Sequence, residues 1–105
     1  MIETILKSAK VPSRPARFPD PPKSTFAVYF DEVEASGPDG YNLLLTHFCT
    51  IELYEPTPDP TAEAAVEAEL DARGIPWTKQ ARYWLESVKL YQVIYEFTHI
   101  EKRRN

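Results

Sequence analysis

The fold is decided by one long stretch, Leu90-Tyr91-Gln92-Val93-Ile94-Tyr95-Glu96-Phe97-Thr98-His99-Ile100, which contains neither proline nor glycine. Side chains alternate between the two faces of a strand, so the odd-numbered residues share one face that is almost wholly apolar. The even-numbered residues form a mixed face. We predict that this stretch is a strand in the middle of a sheet, with its odd-numbered face on the core.

Length and composition indicate the broad class to which this protein belongs. The chain has 105 residues, 43% of them hydrophobic, which predicts a single domain over residues 1–105 with one core. Cys49 is the single cysteine, so no intramolecular disulfide can form. The first residues lack the pattern of a signal peptide and no run is long and apolar enough for a membrane span. These features predict a soluble protein of a reducing cytoplasm.

Charge is distributed unevenly along the chain. The net charge is −4, which argues against nucleic-acid binding. Between Ser24 and Ala72 there are eleven acidic residues and no lysine or arginine, while every basic residue lies in the two flanking parts. Two interpretations remain open. The acidic residues belong to solvated surfaces, or acidic and basic regions meet between neighbouring copies.

The N-terminal quarter contains a short helix and a proline-rich arm. Ile2, Ile5, Leu6 and Ala9 recur at helical spacing, which predicts a helix from Met1 to Ala9. The arm, residues 10–24, contains five of the ten prolines. Proline lacks an N–H and fixes φ, so we predict an extended or polyproline-like connection there, neither helix nor sheet.

The next segments predict a β-hairpin. Residues 25–31 read as a strand, with Phe26, Val28 and Phe30 on one face and Ala27 and Tyr29 on the other. Residues 32–42 contain Gly37-Pro38-Asp39-Gly40, which indicates a loop. Residues 43–54 alternate again as a second long strand, so the two strands are predicted to pair antiparallel.

The most distinct boundary signals in the sequence flank a predicted helix at residues 61–73. Asp59 is a good N-cap, Pro60 suits the first turn, and Gly74 suits the position after the C-cap. The predicted core side contains Ala62, Ala65, Val66 and Leu70. The predicted solvent side contains Glu63, Glu67 and Asp71.

The C-terminal segments complete the expected sheet. Residues 75–79 are predicted to form a short strand that Pro76 confines to an edge or a bulge, and residues 83–87 are predicted to pair with residues 90–100 in a hairpin. Residues 101–105 are expected to be a flexible tail. The predicted fold is α+β with the order αββαββ: a mainly antiparallel sheet of about four strands with one main helix packed on it.

No group of residues predicts a reaction. His47, Cys49 and His99 fall on inward strand faces, but they lack the paired spacing of a zinc site and read better as core residues. Gly37 and Gly40 are followed by neither a Lys-Ser/Thr pair nor a helix, which excludes a phosphate loop. We therefore predict no catalytic, cofactor-binding or metal-binding residues, no cofactor, and a protein that is not an enzyme.

Several of these segments resemble a known class of proteins. They are Ile51-Glu52-Leu53-Tyr54-Glu55, the acidic helix that follows Asp59-Pro60, Ile75-Pro76-Trp77-Thr78-Lys79, and Glu86 to Glu96. Together with the arm before Phe26-Ala27-Val28-Tyr29, this stretch is similar to small tail-completion, or head–tail connector (neck), proteins of long-tailed phages and prophages of Gram-positive bacteria. Trp77 departs from the resemblance, since a smaller residue is expected there.

The resemblance implies a tail-terminator-like fold and a structural role. Such proteins close the head-proximal end of the tail or join it to the neck, often as a ring of identical subunits. The expected partners are other copies of the chain and phage neck or tail-tube proteins, with no membrane and no sequence-specific nucleic acid. The expected locations are the bacterial cytoplasm during assembly and then the virion. The alternatives are a non-virion adaptor that uses the proline-rich arm and a small enzyme built on His47, Cys49 and His99.

Overall fold

The computed structural model describes residues 1–37 and 44–103. The α+β prediction is confirmed, since this part of the chain forms two helices and a six-stranded mixed sheet. In chain order the elements are α1 (Ile2–Ser8), β1 (Ser13–Pro15), β2 (Phe26–Ser36), β3 (Leu44–Glu55), α2 (Pro60–Ala72), β4 (Trp77–Lys79), β5 (Tyr83–Leu85) and β6 (Leu90–Lys102).

The long C-terminal strand lies inside the sheet, as predicted. The strand order is β1-β2-β3-β6-β4, with β5 also paired to β6. β4 pairs with β6 around Glu96 and β5 pairs around Tyr91, so both short strands lie on the side of β6 away from β3. The predicted antiparallel hairpins, β2–β3 and β5–β6, are both present.

In the described residues the order is αβββαβββ with six strands, instead of the predicted αββαββ with about four, partly because the proline-rich arm contributes β1. The arm was predicted to contain no strand, but Ser13–Pro15 pairs parallel with residues 27–29 of β2. The Ala27 amide donates to the Pro12 carbonyl and the Ala16 amide donates to the Tyr29 carbonyl, both at 2.9 Å. An edge strand uses backbone groups on one side only, so Pro12 can take part through its carbonyl without an N–H.

The long strands extend further than predicted. Residues 32–36 were predicted to be loop, but β2 continues to Ser36 and pairs with β3 without interruption. β6 likewise continues to Lys102, two residues into the predicted tail. The strands persist because β3 offers a partner at every level to both neighbours. Most of the Gly37-Pro38-Asp39-Gly40 loop, residues 38–40, lies outside the described residues.

The core lies between one face of the sheet and the two helices. The odd-numbered face of β6 is buried at Val93, Tyr95 and Phe97, as predicted. From the helices, the buried residues include Ile5, Leu6, Val66 and Leu70. Asp59 caps α2 by accepting a hydrogen bond from the Ala62 amide at 3.1 Å, and Gly74 has a φ of +66°, so both predicted boundary signals are confirmed.

The helices cover only part of the sheet. On the helix side, the buried residues of β3 and β6 end at Cys49 and Phe97. From this level three strands continue together, and we call this extension the ribbon: residues 30–36 of β2, 44–50 of β3 and 96–102 of β6. The remainder is called the body. The ribbon makes the molecule elongated, with principal extents of 50 × 27 × 22 Å.

Candidate interaction surface

The sheet face opposite the helices, called the open face, carries large apolar side chains on the ribbon. Residues directly opposite one another in adjacent strands point to the same side, so the register places Phe30, Phe48 and Ile100 together on this face. Their exposed fractions are 37%, 42% and 61%. Glu32, Glu34 and Lys102 lie among them. This is an apolar surface with charges interspersed, and no described residue covers it.

On the helix side of the ribbon, His47 joins all three strands. Its Nδ1 lies 2.9 Å from both carboxylate oxygens of Asp31 on β2, and its Nε2 lies 2.9 Å from Oε1 of Glu101 on β6. Hydrogen bonds with Glu101 and then with Asp31 raise the pKa of His47 above its usual value of 6.5. This cross-strand ion pair stabilises the ribbon where no helix supports it.

The residues considered for metal binding are brought near one another but serve other roles. The rings of His47 and His99 lie 5.6 Å apart, and Cys49 Sγ is 4.0 Å from Asp31 Oδ1. Burial and the charge of Asp31 raise the pKa of the Cys49 thiol to about 11, which keeps it protonated. Within residues 1–37 and 44–103, no three His, Cys, Asp or Glu side chains are arranged to hold a metal ion.

A cluster of charged residues lies under the body of the sheet. Glu55 and Glu63 are 0% and 5% exposed. Arg82 bridges them, donating through Nη2 to Glu63 at 2.7 Å and through Nε to Glu55 at 3.3 Å. Lys79 pairs with Glu63 at 2.9 Å and Glu67 at 2.7 Å. These contacts attach the 79–82 segment to the end of β3 and to α2.

The pKa values of the two buried carboxyls, Glu55 and Glu63, are shifted in opposite directions. Burial, and then the neighbouring Glu63, raise the pKa of Glu55 to about 7. Burial disfavours charge on Glu63 as well, but hydrogen bonds from Lys79 and Arg82 outweigh it and lower its pKa. A carboxyl with a pKa of about 7 can act as a general acid. Glu55 is completely enclosed, however, so the cluster fits a structural clamp better than a reaction site.

The prediction that Glu63 and Glu67 lie on the solvent side of α2 is wrong for Glu63, which is buried. The signal was present in the spacing, since Glu63 lies three residues before Val66 and seven before Leu70, on the same side of a helix. A charged residue can lie there because Lys79 and Arg82 neutralise it. Neither partner is adjacent in sequence, so the cluster was not predicted.

The proline-rich arm lies against the open face of the body. Phe18 packs edge-to-face on Phe26 at 5.4 Å between ring centroids, and Phe26 stacks on Tyr54 at 5.3 Å. The Arg14 guanidinium lies 5.0 Å from the centre of the Phe18 ring. The arm is therefore bound to its own sheet and is not presented as a free ligand.

No protein-family model matches this chain, and no curated protein is significantly similar to it. Within the described residues, none of the helices combines the length and the apolar character needed to cross a lipid bilayer.

Proposed function

We propose that this chain is a structural protein of phage morphogenesis that completes the tail, or joins the tail to the head and neck, through a ring of identical subunits. The observation that carries the proposal is the ribbon. Three long strands present Phe30, Phe48 and Ile100 on a face that no described residue covers, and Val33, 50% exposed, on the other. Large exposed apolar side chains grouped on one face are typical of protein–protein contact sites.

The sequence resemblance supplies the class of partner. It covers the strands and the acidic helix that form the body, and it points to tail-completion and neck proteins of long-tailed phages. The tail-terminator-like arrangement of the fold belongs to this proposal as well. An α+β domain with a projecting ribbon suits a subunit that contacts several neighbours at once.

The alternatives have less support from the structure. An adaptor that uses the proline-rich arm requires the arm to be available, but β1 and Phe18 attach the arm to the sheet. An enzyme built on His47, Cys49 and His99 requires a reactive thiol or a metal. The raised pKa of Cys49 and the pairing of His47 with two carboxylates favour neither.

Deletion of the gene from its phage or prophage tests the proposal. The expected result is loss of infectious particles, with heads and tails that are separate, or tails of abnormal length, in electron micrographs. Complementation with the intact gene is the control and should restore joined particles. Normal particles in the deletion strain, or a gene neighbourhood without portal, head and tail genes, would contradict the proposal.

A further inference from the structure

The ribbon has two unpaired edges at the same level of the sheet. In the described residues, β1 pairs with β2 only as far as Tyr29, and β4 pairs with β6 only as far as Phe97. Ala16 ends the first contact because its φ of +61° turns the arm away from β2. Pro76 ends the second because it has no N–H with which to continue the ladder.

The paired residues next to each free edge show which backbone groups point outward from it. Ala27 and Tyr29 bond to the arm, so alternation directs the N–H and C=O groups of Asp31, Val33 and Ala35 outward from β2. The Ile94 carbonyl accepts from Gln80 at 2.9 Å, so Thr98, Ile100 and Lys102 direct theirs outward from β6. The β2 edge has no proline, lysine or bulge to block strand addition.

The two edges carry opposite charge. His47 pairs with both Asp31 and Glu101, and its single positive charge offsets one of these two carboxylates. Beside this group, the exposed charges on the free parts of the two edges are Glu32 and Glu34 on β2, and Lys102 and Arg103 at the end of β6. Two β2 edges paired with each other would bring the glutamates of both copies together. A β2 edge beside a β6 edge brings opposite charges together.

We propose that the free edge of β2 in one copy pairs with the free edge of β6 in the next copy, so that the sheet continues from chain to chain. This inference rests on the proposed function and names the surfaces that join its subunits. Both strands run antiparallel to β3, so they point the same way within a chain and form a parallel pair between neighbouring copies.

The shape of the chain makes a row of such copies curve. Beyond Phe97 the sheet is three strands wide, whereas the body adds β1 on one side and β4 or β5 on the other. Each added strand takes about 5 Å, so copies joined through their ribbons diverge at their bodies. If each copy diverges from the previous one in the same direction, a head-to-tail row closes into a ring. The ribbons then lie closer together than the bodies.

Light scattering of the purified full chain at low salt tests the inference. The expected result is a concentration-dependent species larger than a dimer. Glu34→Lys and Lys102→Glu are each expected to weaken association about tenfold, since each replaces an attractive cross-strand contact with a repulsive one. Asp20→Lys and Lys23→Glu make the same charge changes on the exposed arm and should leave association unchanged.

Mixing the variants distinguishes head-to-tail from two-fold pairing. Equimolar Glu34→Lys and Lys102→Glu should associate as the natural chain does, because each altered edge then meets an edge of opposite charge. Val33→Pro should also prevent association, because it removes an outward N–H while leaving the bonds to β3 intact; circular dichroism checks that it folds. A chain that stays monomeric, stops at a dimer, or shows no rescue on mixing would overturn the inference.

These outcomes separate the inference from the proposed function. If gene deletion abolishes joined particles while the edge variants assemble normally, the function stands and the edge pairing is wrong. If the edges drive assembly while deletion leaves normal particles, the pairing stands and the proposed function is wrong.

Discussion

Nδ1 of His47 lies 2.9 Å from both carboxylate oxygens of Asp31 on the neighbouring strand, while Nε2 faces Glu101 on the other side. A neutral imidazole has a single N–H and can donate to only one of these carboxylates. Only the imidazolium can donate to both. When it is protonated, the ring therefore ties β2, β3 and β6 together at a level that no helix covers.

This pairing should make the ribbon sensitive to pH. The pKa of His47 is raised in the folded chain, so its contribution to stability is present below the unfolded value of about 6.5 and is lost as pH rises through the folded value. We expect His47→Gln to cost about 1 kcal/mol at pH 5.5 and less at pH 9. Denaturant unfolding of both proteins measures the difference. His99→Gln is the control, and an equal cost for His47→Gln at both pH values would contradict the prediction.

The buried Glu55 predicts a second pH effect. Its pKa is raised from 4.5 to about 7, so the folded state holds a proton that the unfolded state releases between these values. Stability should therefore fall as pH rises from 4.5 to 7.

Glu55→Gln should remove this dependence and stabilise the protein by about 1 to 2 kcal/mol at pH 8, since an amide replaces the carboxyl that must ionise. Chemical denaturation at pH 5 and pH 8 measures the change. Glu69→Gln, at a partly exposed carboxyl on α2, is the control. A Glu55→Gln protein less stable than the natural chain at pH 8 would show that the carboxylate itself is required.

Two positions with positive φ should respond in opposite directions to substitution. Gly74 has a φ of +66° and Lys89 a φ of +58°. A side chain in this region is strained, so Gly74→Ala should cost about 1 kcal/mol and Lys89→Gly should stabilise by a similar or smaller amount. Thermal unfolding measures both. A Cβ at Gly74 meets no atom within 4 Å, so a large loss there would have to come from backbone strain, not from a clash.

The contact between Phe18 and Phe26 should keep the arm on the sheet. Phe18→Ala removes this contact and should speed trypsin cleavage after Lys23 several-fold while costing about 1 kcal/mol of stability. Pro19→Ala, at an exposed neighbouring position, is the control and should be cleaved only slightly faster. Equal cleavage rates for Phe18→Ala and the natural chain would show that β1 alone holds the arm.

Sequence patterns predicted the local features of the body well. The core face of β6, the Asp59 cap and the Gly74 terminator each depend on residues close together in the chain. The pairing of Glu63 with Arg82 and the use of Ser13–Pro15 as a strand depend on residues that are distant in sequence. Local propensity carries no information about such partners, so these features were missed.

Residue patterns alone predicted the α+β class, the caps of α2 and the strand from Leu90 to Ile100 with its apolar face, because periodicity and turn chemistry act within a few residues. The continuation of β2, β3 and β6 past the helices as a ribbon depended on the folded arrangement of the chain. That arrangement also brought His47 between two carboxylates and left two edges of opposite charge unpaired. The reason is physical: whether a strand edge or an apolar side chain is covered depends on which other segments reach it, and the chain must fold before that is known.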